Sequence, residues 1–288
     1  MLAAGLIGAR FVHFAATLLV FGGALFPLYA GHGVKARRWA LIVLSLLGLL
    51  SGIAWFALTT ASMAGDVHAA IEPETLAAVL TATDFGPLWV ARLVLIGAAI
   101  GLMLPKTAGR WRDWAVAVVA GLALASLAGT GHARVNPGAL GLLHMGADAL
   151  HLIAAGAWLG GLAGLGAALA TPGAKAPLVR RFSGAGYVAV GTILLTGAVN
   201  SWLLAGNPLT VFASDYGRLL ALKVALFLLM AALAATNRFR VTPKLAAGDA
   251  EGAWLAHLKR NVVAEQGLGI LILAVVSVLG TMAPATGG

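Results

Sequence analysis

A histidine lies inside a long apolar stretch in the second half of the chain, at His151, and a glycine pair follows it nine residues later. An imidazole in hydrocarbon is costly unless it has a partner, so an ionisable residue there marks a functional position by default. A weaker copy of this pattern, with the same spacing to a glycine pair, begins at His13 in the first apolar stretch. Two histidines at matching positions predict one site built from two related halves.

Further polar side chains precede His151 on the same predicted helix. His144, Asp148 and His151 are spaced so that they share one helical face, and Met145 lies beside that face. Imidazole and thioether ligands suit copper, and thioether favours the cuprous state. The predicted metal-handling residues, all expected in the outer half of the membrane or at its outer surface, are His13, Met63, His68, His132, His144, Met145, Asp148, His151 and Met282.

Each of these residues also has a purely structural explanation. His151 and Asp148 are also explained by a hydrogen-bonded tie between two helices. Methionines fill irregular gaps between helices without binding a metal. His132 and His144 lie near the expected membrane interface, where an ordinary solvated histidine needs no partner.

Composition limits the class of protein. The 288 residues are 60% hydrophobic and only 10% charged, with a mean hydropathy of +0.95, which is typical of a polytopic membrane protein and not of a soluble domain. There is no cysteine, which excludes disulfides and thiolate metal sites. The net charge of +9 is explained by membrane topology, so no nucleic-acid partner is expected.

Eight apolar stretches are long enough to cross a bilayer, which takes about 20 mostly apolar residues. We therefore predict an all-α membrane protein in which every element that positions the histidines is a spanning helix. The predicted helices 1 to 8 cover residues 3–30, 39–63, 86–104, 114–131, 139–170, 181–205, 216–236 and 259–283.

The basic residues set the predicted orientation. Most of the 19 Lys and Arg residues lie in the loops that follow helices 1, 3, 5 and 7, whereas the opposite loops are acidic. The positive-inside rule makes the basic side cytoplasmic, so both termini are expected to face outward. The longest outer loop, 64–85, is acidic and is predicted to contain a short helix near Glu72–Thr81.

The two halves of the chain resemble each other. Four matches occur in the same order: the histidine and glycine pair, Ser51-Gly52 with Thr196-Gly197, the Asp-aromatic-Gly starts of helices 3 and 7, and S-x-x-G-T in helices 4 and 8. Four helices per repeat preserve orientation, so we predict parallel four-helix repeats, 1–131 and 132–288, related by an axis along the membrane normal. His13 and His151 are expected to face a shared interior.

Other intramembrane charges need partners. Asp84 and Asp215 open helices 3 and 7, where N-capping is the simplest role. Arg92 and Lys223 lie about two turns further along and either snorkel outward or pair with an aspartate. Glu265 in helix 8 is either an inner relay that binds a proton or the partner of a loop arginine.

Several motifs together resemble the copper resistance protein D family (CopD/PcoD), with the likeness strongest over residues 129–240. The motifs are Gly131-His132, the run from Ala147-Asp148 through His151 and Trp158 to Gly160-Gly161, Arg181-Phe182-Ser183, Tyr216-Gly217-Arg218 with Lys223, Asn237-Arg238, and Val263-Ala264-Glu265 with Gly267. The resemblance implies a bacterial inner-membrane protein of eight spans. It also implies a periplasmic copper-binding partner of the CopC type and inward copper transport.

The leading hypothesis is therefore an importer of copper, as Cu(I) or Cu(II). Copper is expected to leave the periplasmic carrier at the outer residues Met63, His68, His132, His144 and Met145, and to pass inward by His151 and His13. The sequence has no nucleotide-binding motif, so transport is expected to be passive or coupled to an ion. No nucleophile–base arrangement indicates an enzyme.

Two other functions fit the same residues. Paired histidines on facing helices hold haem b in membrane cytochromes, so His13 and His151 are alternative axial ligands, with Arg92 and Lys223 as partners of the propionates. The third hypothesis is a docking or assembly factor that binds copper at its outer face without transporting it.

Overall fold

Eight apolar helices, each long enough to cross a bilayer, dominate the structure. The computed structural model describes residues 1–30, 38–105, 109–130, 138–171, 175–205, 214–247 and 251–282. The helices, numbered here as spans 1 to 8, are Leu2–Ala30, Arg38–Ala64, Phe85–Met103, Arg110–Thr130, Gly138–Leu169, Lys175–Leu204, Asp215–Ala246 and Gly252–Leu279. The predicted all-α class with eight spanning helices is confirmed. The division at residue 131 lies outside the described residues and stays a prediction.

Spans 6 and 8 begin before the predicted residues 181 and 259, at Lys175 and Gly252. The basic residues at the start of these helices are polar, but they remain helical. Polarity marks where the chain leaves the apolar phase, whereas the helix itself continues until its backbone hydrogen bonds end. Glu265 consequently lies about three and a half turns after the start of span 8 at Gly252.

Spans 1 and 5 cross at a point where both helices carry glycine. A Cβ atom placed on Gly22 would lie 2.6 Å from the Cα of Gly160, and one placed on Gly160 would lie 2.6 Å from the Cα of Gly22. The Cβ of Gly22 would also collide with the carbonyl oxygen of Gly156. Small residues let membrane helices bring their backbones together, and here the contact joins the glycine pairs that follow His13 and His151.

Two groups of buried apolar side chains flank this crossing. One is built mainly from spans 1 to 4 and includes Phe14, Trp55, Trp89 and Leu124. The other is built mainly from spans 5 to 8 and includes residues such as Trp158. Spans 1 and 5 contribute side chains to both groups. His13 and His151 therefore lie on the two helices that join the two groups of four spans.

The ends at which spans 1, 3, 5 and 7 finish form the basic face, and the opposite ends form the acidic face. At the basic face, arginines hydrogen-bond to carbonyl groups left open at helix ends. Arg181 Nη1 donates to the Ala30 oxygen at 3.0 Å, and Arg38 and Arg112 both donate to the Pro105 oxygen, at 3.2 and 2.7 Å. These cations thus close helix C-termini in addition to marking topology.

The acidic loop 64–85 is folded. It contains a 3₁₀ turn, Val67–Ala70, and a short helix, Pro73–Ala82, which confirms the short helix predicted near Glu72–Thr81. Val79 on this helix is buried against the apolar group of the first four spans. The loop is therefore docked on the bundle.

Spans 3 and 7 begin with a hydroxyl cap, and the prediction that Asp84 and Asp215 cap them is wrong. The Thr83 and Ser214 hydroxyls accept from the backbone N–H groups of Gly86 and Gly217, at 3.2 and 3.0 Å. Asp84 makes no side-chain cap hydrogen bond. Ser214 has extended backbone angles, as a cap residue requires, whereas Asp215 is already inside the first turn and pairs with Arg218 at 3.3 Å.

Large apolar and aromatic side chains cover the outside of the bundle. Trp39 and Trp111, at the starts of spans 2 and 4, are 67% and 71% exposed, and Trp202, near the end of span 6, is 81% exposed. In water such a surface would drive aggregation, but in a bilayer it contacts lipid, with the tryptophans at the interfaces.

The glycine crossing predicts a large difference between two chemically identical substitutions. Gly160→Ala places a Cβ against the backbone of span 1, so we expect a loss of about 1–3 kcal/mol of folding stability. Gly146→Ala, in the same span, meets no atom within 4 Å and is expected to be neutral or slightly stabilising. Thermal unfolding of the two variants in detergent provides the measurement. Equal unfolding temperatures for both would contradict the close crossing.

Candidate functional site

His13 is fully buried between spans 1, 2 and 3, and its hydrogen bonds define its chemical form. Its Nδ1 lies 2.8 Å from the Gly48 carbonyl oxygen and 3.4 Å from the Ser51 hydroxyl. A carbonyl only accepts, so Nδ1 carries the proton and donates it. The other ring nitrogen, Nε2, has no hydrogen-bond partner among the described residues. A proton there would be a buried donor without an acceptor, so Nε2 holds a free lone pair.

His151 has the same form in the second half. Its Nδ1 lies 3.0 Å from the Thr196 hydroxyl oxygen. That hydroxyl donates its own hydrogen to the Thr192 carbonyl at 2.6 Å, so it accepts from Nδ1. The Nε2 of a neutral His151 ring therefore also carries the lone pair.

A glycine stands against each ring next to the hydroxyl residue. A Cβ on Gly52 would lie 3.0 Å from His13 Cε1, and one on Gly197 would lie 3.4 Å from His151 Cε1. The Ser-Gly and Thr-Gly pairs therefore do the same two things in each half. The hydroxyl approaches Nδ1, and the glycine leaves room for the edge of the ring.

The surroundings of His13 are aromatic and cationic. Its ring lies 5.5 Å from that of Trp55, in an edge contact, and 6.2 Å from that of Trp89, nearly parallel. The guanidinium carbons of Arg10 and Arg92 lie 4.6 Å from the ring centroids of Trp55 and Trp89, respectively. Such contacts stabilise a cation in a site that water does not reach.

The prediction that Arg92 either snorkels outward or pairs with an aspartate is wrong for the described residues. It is completely buried. Its Nε donates to Ser126 Oγ at 2.9 Å, and its Nη2 donates to the Ser126 carbonyl and to Thr130 Oγ1, at 2.8 and 3.1 Å. All of these acceptors are neutral, so the positive charge beside His13 is solvated by the protein but is not neutralised by them.

The charges around His151 are balanced differently. Lys223 is close enough to interact electrostatically with both His151 and Asp148. Asp148 Oδ1 also accepts from Asn200 Nδ2 at 3.3 Å. A carboxylate therefore offsets part of the charge of Lys223, whereas Arg92 beside His13 is held by neutral oxygens. The two histidines are held in the same way, through Nδ1 and beside a glycine, but the charged groups next to them differ.

The remaining predicted metal-handling residues are dispersed toward the acidic face. His144 is buried, whereas Met145 is 36% exposed. Met63, at the end of span 2, and His68, in the 3₁₀ turn, are both exposed, and Met282 follows the end of span 8. His132 lies outside the described residues. Within the part of the chain that the structure describes, no group of three or more His, Asp or Glu side chains could hold a metal ion.

The expectation that His13 and His151 face a shared interior is wrong. Each Nδ1 bonds to the second helix of its own half, span 2 for His13 and span 6 for His151. The reason is the glycine crossing, because direct backbone contact between spans 1 and 5 leaves little room for side chains between them. A cavity of about 590 Å³ between spans 1, 5 and 8 is lined by neither histidine.

Among the described residues, Glu265 bonds to Asn237 within the bundle and to no arginine. It is 1% exposed, and its Oε1 accepts from Asn237 Nδ2 at 2.7 Å. The partners that sequence reasoning missed are Arg10, the two tryptophans beside His13, and Asn237. A visible signal existed for Arg10, since it is an arginine within the first apolar stretch.

The ring hydrogen bonds predict a measurable stability effect at Thr196. Thr196→Val keeps the shape of the side chain but removes the acceptor of the His151 Nδ1 proton, so we expect a loss of about 1–3 kcal/mol. Thr192→Val, one turn earlier, leaves that acceptor in place and is the matched control. Thermal unfolding in detergent measures both, and equal stability of the two variants would argue against the assigned tautomer.

Two family profiles together match most of the chain. The profile described as "Copper resistance protein D-like, N-terminal domain" matches residues 1–142, and that described as "Copper resistance protein D" matches residues 176–279. No solved structure matches the chain.

Two relatives are similar over nearly their whole length. "Copper resistance protein D" of Pseudomonas syringae pv. tomato is 31% identical over 96% of this chain and 96% of the relative. "Inner membrane protein YebZ" of Escherichia coli strain K12 is 30% identical over 99% of this chain and 100% of the relative. These names point to copper and the inner membrane, and neither mentions haem.

Proposed function

This chain belongs to the copper resistance protein D family, and from this premise we propose that it carries copper through the membrane to the basic face. It is a multi-pass inner-membrane protein of a copper-handling family. The proposal adds three things to that membership: the site, the direction and the source of the metal.

The observation that carries the proposal is the chemical form of the two histidines. Ligating histidines in metalloproteins almost always donate one ring N–H to a carbonyl or a similar acceptor, which fixes the tautomer and presents the other nitrogen to the metal. His13 and His151 both have this arrangement, with Nδ1 tied down and Nε2 holding the lone pair. A neutral imidazole nitrogen suits copper in either oxidation state.

The charge around each ring favours His151 as the main site. A copper ion beside His13 would meet the unneutralised guanidinium of Arg92, and this repulsion opposes binding. Beside His151, the Asp148 carboxylate offsets Lys223 and supplies a second ligand of the type that accepts a cation. We therefore place the copper step in the second half, with His13 as a weaker or structural position.

Copper enters this scheme from the acidic face. Met63 and His68 are exposed there, and Met145 lies between that face and His151 on span 5. Soft thioether and imidazole groups suit capture of copper from a carrier. The proposed source is a periplasmic copper-binding protein of the CopC type. His132, which follows span 4, is assigned to the same capture step.

Topology supports the proposed direction. Arginines cluster at the basic face, so the positive-inside rule makes that face cytoplasmic and the acidic loop periplasmic. Transport from the acidic face to the basic face is then import, and both termini lie in the periplasm. The function in this scheme is transport and not catalysis.

The His151 site is tested by copper uptake into proteoliposomes. We expect His151→Ala to lower the initial rate at least about tenfold, because it removes the proposed ligand. His13→Ala is expected to have a smaller effect, and His257→Ala, at the basic face, none. Unchanged uptake in His151→Ala would disprove the path, and copper that binds without entering would show a docking protein instead of a transporter.

The orientation is tested with cysteine labelling, since the chain has no cysteine of its own. Glu74→Cys, in the exposed part of the acidic loop, is expected to react with a membrane-impermeant maleimide in spheroplasts. Lys244→Cys, at the basic face, is expected to react only after the membrane is permeabilised. The opposite pattern would reverse the topology and turn the proposed import into export.

A further inference from the structure

A cavity of about 170 Å³ lies between spans 5, 6, 7 and 8, away from both histidines. Its walls are mainly apolar, with Trp158 and Leu162 from span 5, Phe182 from span 6 and Leu258 from span 8. The volume is enough for several water molecules, since one needs only about 10–15 Å³ measured in this way. The cavity therefore has room for water inside an otherwise apolar group of helices.

Glu265 lines this cavity, and only one of its two carboxyl oxygens is hydrogen-bonded within the described residues. Oε1 accepts from Asn237 Nδ2 at 2.7 Å, and Asn237 Oδ1 in turn accepts from Asn261 Nδ2 at 2.7 Å. In the described part of the chain, Oε2 meets no hydrogen-bond donor. The carboxyl group is therefore oriented by an amide chain and keeps one oxygen available.

The other titratable or charged groups that line the cavity are Tyr187 on span 6 and Arg238 on span 7. Arg238 Nε donates to the Tyr187 hydroxyl at 3.3 Å, and both residues lie toward the basic face. The lining residues of span 5 are apolar, and Glu265 is the charged lining residue of span 8. Glu265 thus has no cation bonded to it among the described residues.

These contacts specify the position of a proton. An ionised carboxylate held by a single amide donor in an apolar cavity pays a large desolvation cost. Because Oε1 is the acceptor of the Asn237 amide, a proton on Oε2 removes the charge and leaves the existing hydrogen bond intact. Glu265 lines the cavity, so water there is the nearest partner with which the carboxyl group can exchange this proton.

Backbone geometry next to the cavity supports a specialised role. Residues Asn237–Val241 form a π-helical turn, and Thr242 Oγ1 donates to the Asn237 carbonyl at 2.7 Å. Wide turns of this kind are rare and occur frequently at functional sites. This turn presents Asn237 to Glu265 and Arg238 to the cavity, while Phe239 extends the wall toward the exposed surface.

The cavity described within the first half is much smaller. The cavity between spans 1, 2, 3 and 4 has a volume of only about 10 Å³, and no carboxyl group lines it. In the predicted alignment of the halves through S-x-x-G-T, the position that matches Glu265 holds Trp114. The half that has a carboxylate beside its histidine therefore also has the open cavity and the buried acid.

We propose that Glu265 is a proton-binding site that exchanges its proton with water from the basic face through this cavity. The O–H bond at Oε2 breaks and the proton passes to cavity water. A carboxylate with one amide donor then remains until a proton returns from that water. The further claim that this proton is the ion coupled to copper movement rests on the proposed transport function.

The proton site is tested with dicyclohexylcarbodiimide, an apolar reagent that adds the O–H of a protonated carboxyl across its C=N bond. We expect mass spectrometry to find an adduct of the whole reagent on Glu265 of the purified protein. Across its titration range the adduct yield should fall by up to about tenfold per pH unit as the pH rises. Glu265→Gln should abolish this adduct, whereas Glu74→Gln, in the exposed acidic loop, should leave it unchanged.

Absence of the adduct at every pH would overturn the proposal, and so would an adduct whose yield does not change with pH. Glutamine can still accept from Asn237, so Glu265→Gln is expected to fold, and size-exclusion chromatography of the variant verifies this. The labelling requires no copper, so it can succeed or fail independently of the transport function.

Coupling is tested in a second arm, with copper uptake into proteoliposomes under an imposed pH gradient. We expect the gradient to change the wild-type rate and to have no effect on Glu265→Gln. Equal responses of the two proteins would overturn the coupling claim. If the wild-type protein takes up no copper at all, the transport function fails, while the labelling result still decides the proton site.

Discussion

The close contact between Gly22 and Gly160 is the constraint on which the arrangement of this protein depends. Two helices whose backbones touch have a fixed relative height, and each histidine lies nine residues before the glycine at the contact. Both rings therefore stand equally far along their helices from this contact. The same contact excludes side chains from the seam, which is why each imidazole turns toward the second helix of its own half.

The two halves differ in how the cation beside each histidine is stabilised. Both rings are held through Nδ1 beside a hydroxyl and a glycine, but Arg92 is surrounded by neutral oxygens, whereas Lys223 has Asp148 nearby. A buried cation without a carboxylate is tolerable when aromatic faces and several acceptors share its charge. Such an environment preserves a fold but repels a second cation. In the second half, Asp148 lies close enough to Lys223 to offset part of its charge.

The sequence alone predicted the eight spanning helices, and it singled out His13 and His151 as histidines inside them. Apolar length predicts the eight helices, and the basic loops mark one face, because both depend on composition alone. The caps of spans 3 and 7 were mispredicted, since whether Asp215 or Ser214 caps a helix depends on which residue has the extended backbone. The partners of Arg92 and the seam between spans 1 and 5 depend on how distant helices rotate, which local spacing does not encode.

The cavity beside Glu265 also has a mechanical consequence. Tightly packed interiors resist deformation, and a void is where neighbouring elements can shift without breaking contacts. The cavity described between the first four spans measures only about 10 Å³, and a glycine seam holds span 1 against span 5. Spans 6 and 7 border the cavity beside Glu265, so this is where these helices have room to shift.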